Sequence, residues 1–197
     1  MKICVLGAGS LGSAMGAALA EAGSDVWLVN RNRAHVDAIN ANGLTVRTDD
    51  GERSVRVSAA VDCAGLAPVD LVIVLVKSFD TRKAIEAAGP VIGRDTVVMS
   101  LQNGLGHEEV LGAVVGRQRL LAGRTYVGGQ ILAPGTVLAG TRGKETIIGE
   151  LDGRITDRVC AVAAEFDRAG LATTVSRHIM GTIWDNCLLY TSDAADE

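Results

Sequence analysis

Aromatic side chains are scarce in these 197 residues, with two Trp, two Tyr and two Phe. A core must therefore come from Ala, Val, Leu and Ile, within a hydrophobic share of 48%. No apolar run approaches the roughly 20 residues that a membrane-spanning helix requires. The apolar segment after Lys2 is also too short for a secretory signal. A basic block is missing as well. Lys and Arg number 19 against 23 Asp and Glu, a net charge of -4, which argues against a nucleic-acid face. The four cysteines, Cys4, Cys63, Cys160 and Cys187, show no CxxC spacing, and the three histidines do not cluster with them. A disulfide framework or metal site is not expected, and a reducing, cytoplasmic setting fits.

Glycine, by contrast, is abundant at 24 residues, scattered at element ends rather than repeated. That distribution suits an α/β chain with many tight strand–helix turns. Ile3-Cys4-Val5-Leu6 reads as a strand buried on both faces. Leu11, Met15, Ala18, Leu19 and Ala22 then recur at helical spacing, with Gly23 as a stop. Val26–Val29 is the next strand, and Ala34–Ala41 a helix closed by Asn42-Gly43. Leu44–Thr48 and Ser54–Ser58 flank Asp49-Asp50-Gly51 and suggest an inserted hairpin.

Further along, strands at Leu71–Val76 and Thr96–Leu101 alternate with helices at Thr81–Ala88 and Glu108–Val115. A strand at Leu120–Tyr126, a strand-rich stretch over 129–148, a helix at Arg154–Ala169 and a strand at Leu171–Val175 follow. This order predicts a Rossmann-like, mostly parallel sheet with helices on both faces. A new helix begins near Arg177, and from Asn186 the sequence turns polar and aperiodic.

Gly7-Ala8-Gly9-Ser10-Leu11-Gly12 lies between the first strand and its helix, where GxGxxG holds a dinucleotide pyrophosphate. Gly7 allows the turn, Gly9 clears space for phosphate, and Gly12 lets helix approach strand. The helix N-terminus supplies free N–H groups and partial positive charge. At the end of the second strand, sites for NAD carry Asp or Glu. Asn30-Arg31-Asn32-Arg33 stands here instead. Arg31 is either a solvated loop residue or a planar fork for a 2′-phosphate. The latter implies NADP(H), bound at least about tenfold tighter than NADH. Lys77 and Asn103 each follow an apolar strand at its carboxyl end, where ligands lie in open parallel sheets. Either alone also reads as a helix cap or a Lys lying along apolar surface. His35, His107 and His178 read as surface or helix-end residues, and Cys4 as a small core hydrophobe.

Together these stretches resemble the ketopantoate reductase (2-dehydropantoate 2-reductase) family. Gly7–Gly12, Arg31, Val74-Leu75-Val76-Lys77 and Gln102-Asn103-Gly104-Leu105-Gly106 carry the resemblance. So do Pro134-Gly135-Thr136-Val137, Ile148-Gly149-Glu150 and Ile183-Trp184-Asp185, in that order. It implies an NADP-binding domain over residues 1–175. Residues 176–197 would open a helical substrate and dimerisation domain, of which only the first helix is expected.

The resemblance further implies NADPH-dependent reduction of 2-dehydropantoate to pantoate in pantothenate biosynthesis, with a homodimer as the usual assembly. Gly7, Ala8, Gly9, Ser10, Leu11 and Gly12 would hold the pyrophosphate, and Arg31 the 2′-phosphate. Lys77 and Asn103 would lie against the cofactor, Asn103 also near substrate, and Gly129 would add a backbone contact. The family's proton-donating Lys falls at Asn186, which cannot act as an acid. The chain is therefore expected to be a truncated copy with foreign sequence from about residue 186, inactive alone. Another 2-oxo or imino acid substrate is the alternative within this fold. A non-catalytic NADP-binding sensor or partner-binding module is the alternative outside it.

Overall fold

The structure is a computed structural model that describes residues 1–185. In chain order the first elements are β1 (Lys2–Leu6), α1 (Ser10–Glu21), β2 (Asp25–Val29), α2 (Arg33–Asn42), β3 (Leu44–Thr48), β4 (Gly51–Val55) and β5 (Ser58–Ala60). β6 (Val69–Val74), α3 (Thr81–Ala87), β7 (Ile92–Ser100), α4 (His107–Val115) and β8 (Leu120–Thr125) follow. β9 (Gly128–Ala133), β10 (Thr136–Gly140), β11 (Thr146–Glu150), α5 (Asp157–Arg168) and β12 (Thr173–Val175) complete the order. Residues 179–185 begin one more helix.

Eight strands form one sheet in the order β12-β11-β8-β7-β6-β1-β2-β5. All its pairings are parallel except β8 with β11. β1 shows why its sequence is apolar throughout. Ile3 and Val5 enter the core shared with α1 and α5, whereas Cys4 and Leu6 enter the core beneath α3 and α4. Both faces are covered, so alternation with polar residues is lost. α2 is bounded as its sequence suggests. The Asn32 side chain accepts from the His35 N–H, and Gly43, at φ +80°, ends the helix.

A second sheet, in the order β4-β3-β10-β9, was not legible from the sequence. The expected hairpin forms as β3 and β4, but its second strand is Gly51–Val55 rather than Ser54–Ser58. Ser58 instead starts β5, which pairs in parallel with β2. β10 then pairs with β3, Thr136 opposite Thr45, and this small sheet lies over α1. α1 is thus enclosed between two sheets, and Gly12 through Ala17 are all buried. That explains its small residues. A Cβ on Gly16 would overlap Leu28 Cδ2, so helix and strand meet at the separation that a hydrogen allows. Met15 and Leu19, fully buried on this helix, each contribute about 1.5–3 kcal/mol.

α5 starts at Asp157, not Arg154, because Thr156 is its cap and accepts from the Val159 N–H. Ile179 and Ile183 pack on Ala122 of β8, and both are buried. Trp184 is exposed. Asn186, Cys187, Leu188 and the polar tail lie outside the described residues.

Candidate functional site: a cleft at the carboxyl ends of β1, β2 and β6

The chain leaves β1 toward β2 and β5, then crosses back to place β6 on β1's other side. A crevice opens where two strands diverge in this way. It is a cleft of about 340 Å³ lined by Gly7, Gly9, Arg31, Lys77 and the start of α3, with Val61, Cys63 and Ala84 supplying apolar wall.

Each loop glycine meets a different constraint. Gly7 has φ +99°, and a Cβ there would sit 2.6 Å from the Val76 nitrogen. Its N–H and that of Ala8 both donate to the Val29 carbonyl, at 3.1 and 2.9 Å, anchoring the turn to the end of β2. A Cβ on Gly12 would lie 2.7 Å from the Gly7 carbonyl oxygen. Gly9 is different, because a Cβ there meets nothing within 4 Å. Its missing side chain leaves space over the cleft, and as the N-cap of α1 it puts no side-chain acceptor on the first-turn N–H groups. Open space at Gly9 beside first-turn N–H groups, which have no partner within their own helix, fits a pyrophosphate.

Ala8 is buried in the core beneath the loop, and Leu11 packs against that core. Ser10 Oγ accepts from the Ile131 N–H at 3.3 Å. Gly129 comes close to the same residue, since a Cβ there would be 2.7 Å from the Ser10 carbonyl oxygen. Its lack of a side chain is thereby explained by packing of β9 on the loop. Of the sequence-predicted residues, the cleft wall unites Gly7, Gly9, Arg31 and Lys77. Ala8, Leu11 and Gly12 pack toward the core and β1, Ser10 and Gly129 join the loop to β9, and Asn103 stands apart, exposed beyond the end of β7.

Gln102 joins the loops that carry Lys77 and Asn103. Its Nε2 donates to the Val76 carbonyl at 2.7 Å and to Thr81 Oγ1 at 2.8 Å. His107 Nε2–H donates to the Asn103 carbonyl at 3.0 Å, and the ring is buried. Sequence reasoning missed both roles; the Gln-Asn-Gly string after an apolar strand was the available signal for Gln102.

His35 is also buried, contrary to expectation, at 2% exposed. Its Nδ1 accepts from the Gly135 N–H at 3.0 Å, which leaves Nε2–H to donate to Ser13 Oγ at 3.2 Å. Ser13 in turn donates to the Ala8 carbonyl at 3.1 Å. The turn between β9 and β10 is thus wired to the phosphate loop, and burial holds the His35 pKa below its ordinary value. Asn30 adds a second tether, its Nδ2 donating to the same Ala8 carbonyl at 2.5 Å.

Two cleft groups were unforeseen. Asp80 binds Arg31, with Nη2 donating to Oδ2 at 2.7 Å, and Lys83 lies one turn further on the rim. Asp80 is only 49 residues from Arg31, yet no local pattern links them. At the floor, Cys63 meets Cys4, and the interaction with Cys63 together with burial pushes the Cys4 thiol up. The described cysteines are free thiols. Among the described residues, no group of three or more His, Cys, Asp or Glu could hold a metal, and no helix is long and apolar enough to cross a membrane.

Strand order, switch point and glycine loop together define a Rossmann-type dinucleotide-binding protein. The family follows from comparison. Residues 3–153 match the family described as Ketopantoate reductase PanE/ApbA, and the chain belongs to it. It is 38% identical over 190 residues to a 2-dehydropantoate 2-reductase of Halobacterium salinarum, covering 96% of this chain and 62% of that protein. The 2-dehydropantoate 2-reductase structure from Geobacter metallireducens superposes with a TM-score of 0.87 at 31% identity, over 94% of this chain and 61% of that one. D-mandelate dehydrogenase, solved with NADH and anilino(oxo)acetate, gives a TM-score of 0.85 at 26% identity, over 93% and 59%. The chain therefore spans less than two thirds of the length of these relatives.

Proposed function

We propose that this chain is the NADP(H)-holding part of a reductase that converts 2-dehydropantoate to pantoate. The observation that carries the reading is the cleft, where Gly7 and Gly9 of the glycine loop, Arg31 and Lys77 line one space at a switch point. Bound there, the nicotinamide would supply the hydride for a 2-oxo group. Backbone N–H groups at the start of α1 hold the pyrophosphate, and Gly9 leaves room for it. Arg31 takes the 2′-phosphate through its fork. Lys77 donates to cofactor oxygens at the strand end, and Asn103, presented by His107 and Gln102, serves cofactor and substrate. The position that the family gives to a proton-donating Lys is Asn186 here. A neutral amide donates no proton to an alkoxide, so the chain binds cofactor without appreciable turnover. The homodimer and the 2-oxo acid belong to the same proposal.

Isothermal titration of the chain with NADPH and NADH tests the reading, with NADPH bound at least about tenfold tighter, or 1.4 kcal/mol. Absence of binding by both would overturn it. The likeness to D-mandelate dehydrogenase, captured with an oxoacetate, favours a different 2-oxo acid as the second reading. Assaying a panel of 2-oxo acids with a full-length relative separates the two.

A further inference from the structure

We infer that Asp80 limits how strongly this cleft prefers a 2′-phosphorylated dinucleotide, by competing with that phosphate for Arg31. The inference rests on the cofactor reading above and adds the residue that opposes it. Asp80 precedes the first turn of α3, where an Asp ordinarily turns back to accept N–H groups of its own helix. Here it makes no such bond. Its own N–H donates to the Lys77 carbonyl at 2.8 Å, which fixes the residue to the loop. The carboxylate reaches across the cleft instead, Oδ2 to Arg31 Nη2 at 2.7 Å and Oδ1 to Nη1 at 3.4 Å.

The two partners differ in freedom. The Asp80 side chain is 18% exposed and that of Arg31 78%, so the acid is the fixed member and the guanidinium the mobile one. A phosphate and a carboxylate want the same parallel N–H pair. For the 2′-phosphate to take the Nη1–Nη2 pair, Arg31 must leave Asp80, and a second anion must settle beside that carboxylate.

A dinucleotide with a free ribose diol has the opposite need. It requires an acceptor, and at the end of β2 the side-chain oxygens of Asn30 and Asn32 each already accept a backbone N–H. Asn30 donates to the Ala8 carbonyl, and its Oδ1 already accepts from the Asn32 N–H. Asp80 supplies a carboxylate on the same cleft wall, from a loop where no Rossmann pattern looks for it. Arg31 thus favours the phosphorylated ligand and Asp80 the plain one, and their pairing narrows the difference.

The test titrates the 197-residue chain with 2′-phospho-ADP-ribose and with ADP-ribose, which differ only in that phosphate. Asp80→Asn and Asp80→Ser both keep a residue able to cap α3, and thermal melts confirm that each folds like the parent. In both variants the affinity ratio should shift about tenfold (1.4 kcal/mol) toward 2′-phospho-ADP-ribose. Adding Arg31→Ala to Asp80→Asn should remove that gain. A ratio within twofold of the parent, or one that falls, would overturn the role of Asp80 while leaving the cofactor reading intact. If the parent binds neither ligand, the cofactor reading fails and takes this inference with it.

Discussion

Replacing His35 by Leu removes an imidazole that joins three segments distant in sequence. The Gly135 N–H would lose its buried acceptor and Ser13 one of its two partners. An orphaned buried donor costs about 1–3 kcal/mol, and a lost hydrogen bond about 1 kcal/mol more. The expected loss is therefore about 2–4 kcal/mol, a large share of the ~5–15 kcal/mol of an ordinary domain.

The same residue makes the fold acid-sensitive, and the direction is set by its lowered pKa. Above the unfolded value of about 6.5 both states carry neutral His35, and the full stability is present. As pH falls below that value the unfolded chain takes up a proton that the folded one resists. Stability then drops by up to about 1.4 kcal/mol per pH unit until the folded pKa is reached, and levels off beneath it. His35→Gln cannot titrate. Urea unfolding of parent and His35→Gln between pH 7.5 and 5 should show the parent falling more steeply below 6.5. Parallel pH profiles for the two proteins would refute the assignment of His35 as a buried neutral link.

Gly12→Val places a branched side chain where a Cβ alone lies 2.7 Å from the Gly7 carbonyl oxygen and 3.0 Å from Val5 Cγ1. Strain of about 1–3 kcal/mol and loss of dinucleotide binding are expected, read by thermal melts and calorimetric titration. Gln102→Leu leaves the Val76 carbonyl without its side-chain donor; about 1–3 kcal/mol is lost, and faster amide exchange across 75–81 should accompany weaker dinucleotide binding. Glu108 is buried with no partner for Oε2 among the described residues, and desolvation raises its pKa. Its penalty therefore grows as pH rises through the carboxylate range, and Glu108→Gln should stabilise the protein at pH 7 but not at pH 4. Burial alone would raise the Glu150 pKa, yet Arg158 and Thr156 outweigh it and hold it low. Its stabilisation is present at neutral pH and lost as pH falls through that lowered value. Glu150→Ala should cost about 1–3 kcal/mol in urea unfolding at pH 7, below the figure for a fully buried pair because Arg158 is partly exposed.

Local signals made the first βαβ unit legible. β1 announces itself by an apolar run that ends in glycine, α2 by Asn32 and Gly43, and the phosphate loop by its spacing. Where the reading slipped, the decisive partner was remote. Ser54–Ser58 looks continuous, but Val55 ends a pairing with Leu44 while Ser58 begins one with Trp27 in the other sheet. α1 reads as amphipathic, yet its outer face is covered by β9 and β10, more than a hundred residues on. His35 is indistinguishable from a surface histidine until the turn at Gly135 is brought against it. Arg31 was found from the end of β2, and Asp80 was not, because a counter-ion in another crossover leaves no periodicity.

The small sheet over α1 also bears on how the chain must be synthesised. β3 finds its inner neighbour only in β10, Thr45 opposite Thr136. A ribosome that has released β1 through β5 has made every glycine of the phosphate loop but not the strands that cover its helix. Until residue 140 has emerged, α1 lacks part of its burial, and His35 and Ser10 lack their partners at Gly135 and Ile131. Ordering of the loop is then a late, non-local event, slow for the reason that long loop closures are slow. Nascent chains halted near residue 100 should be protease-sensitive at α1, and those halted well past residue 140 should be protected there.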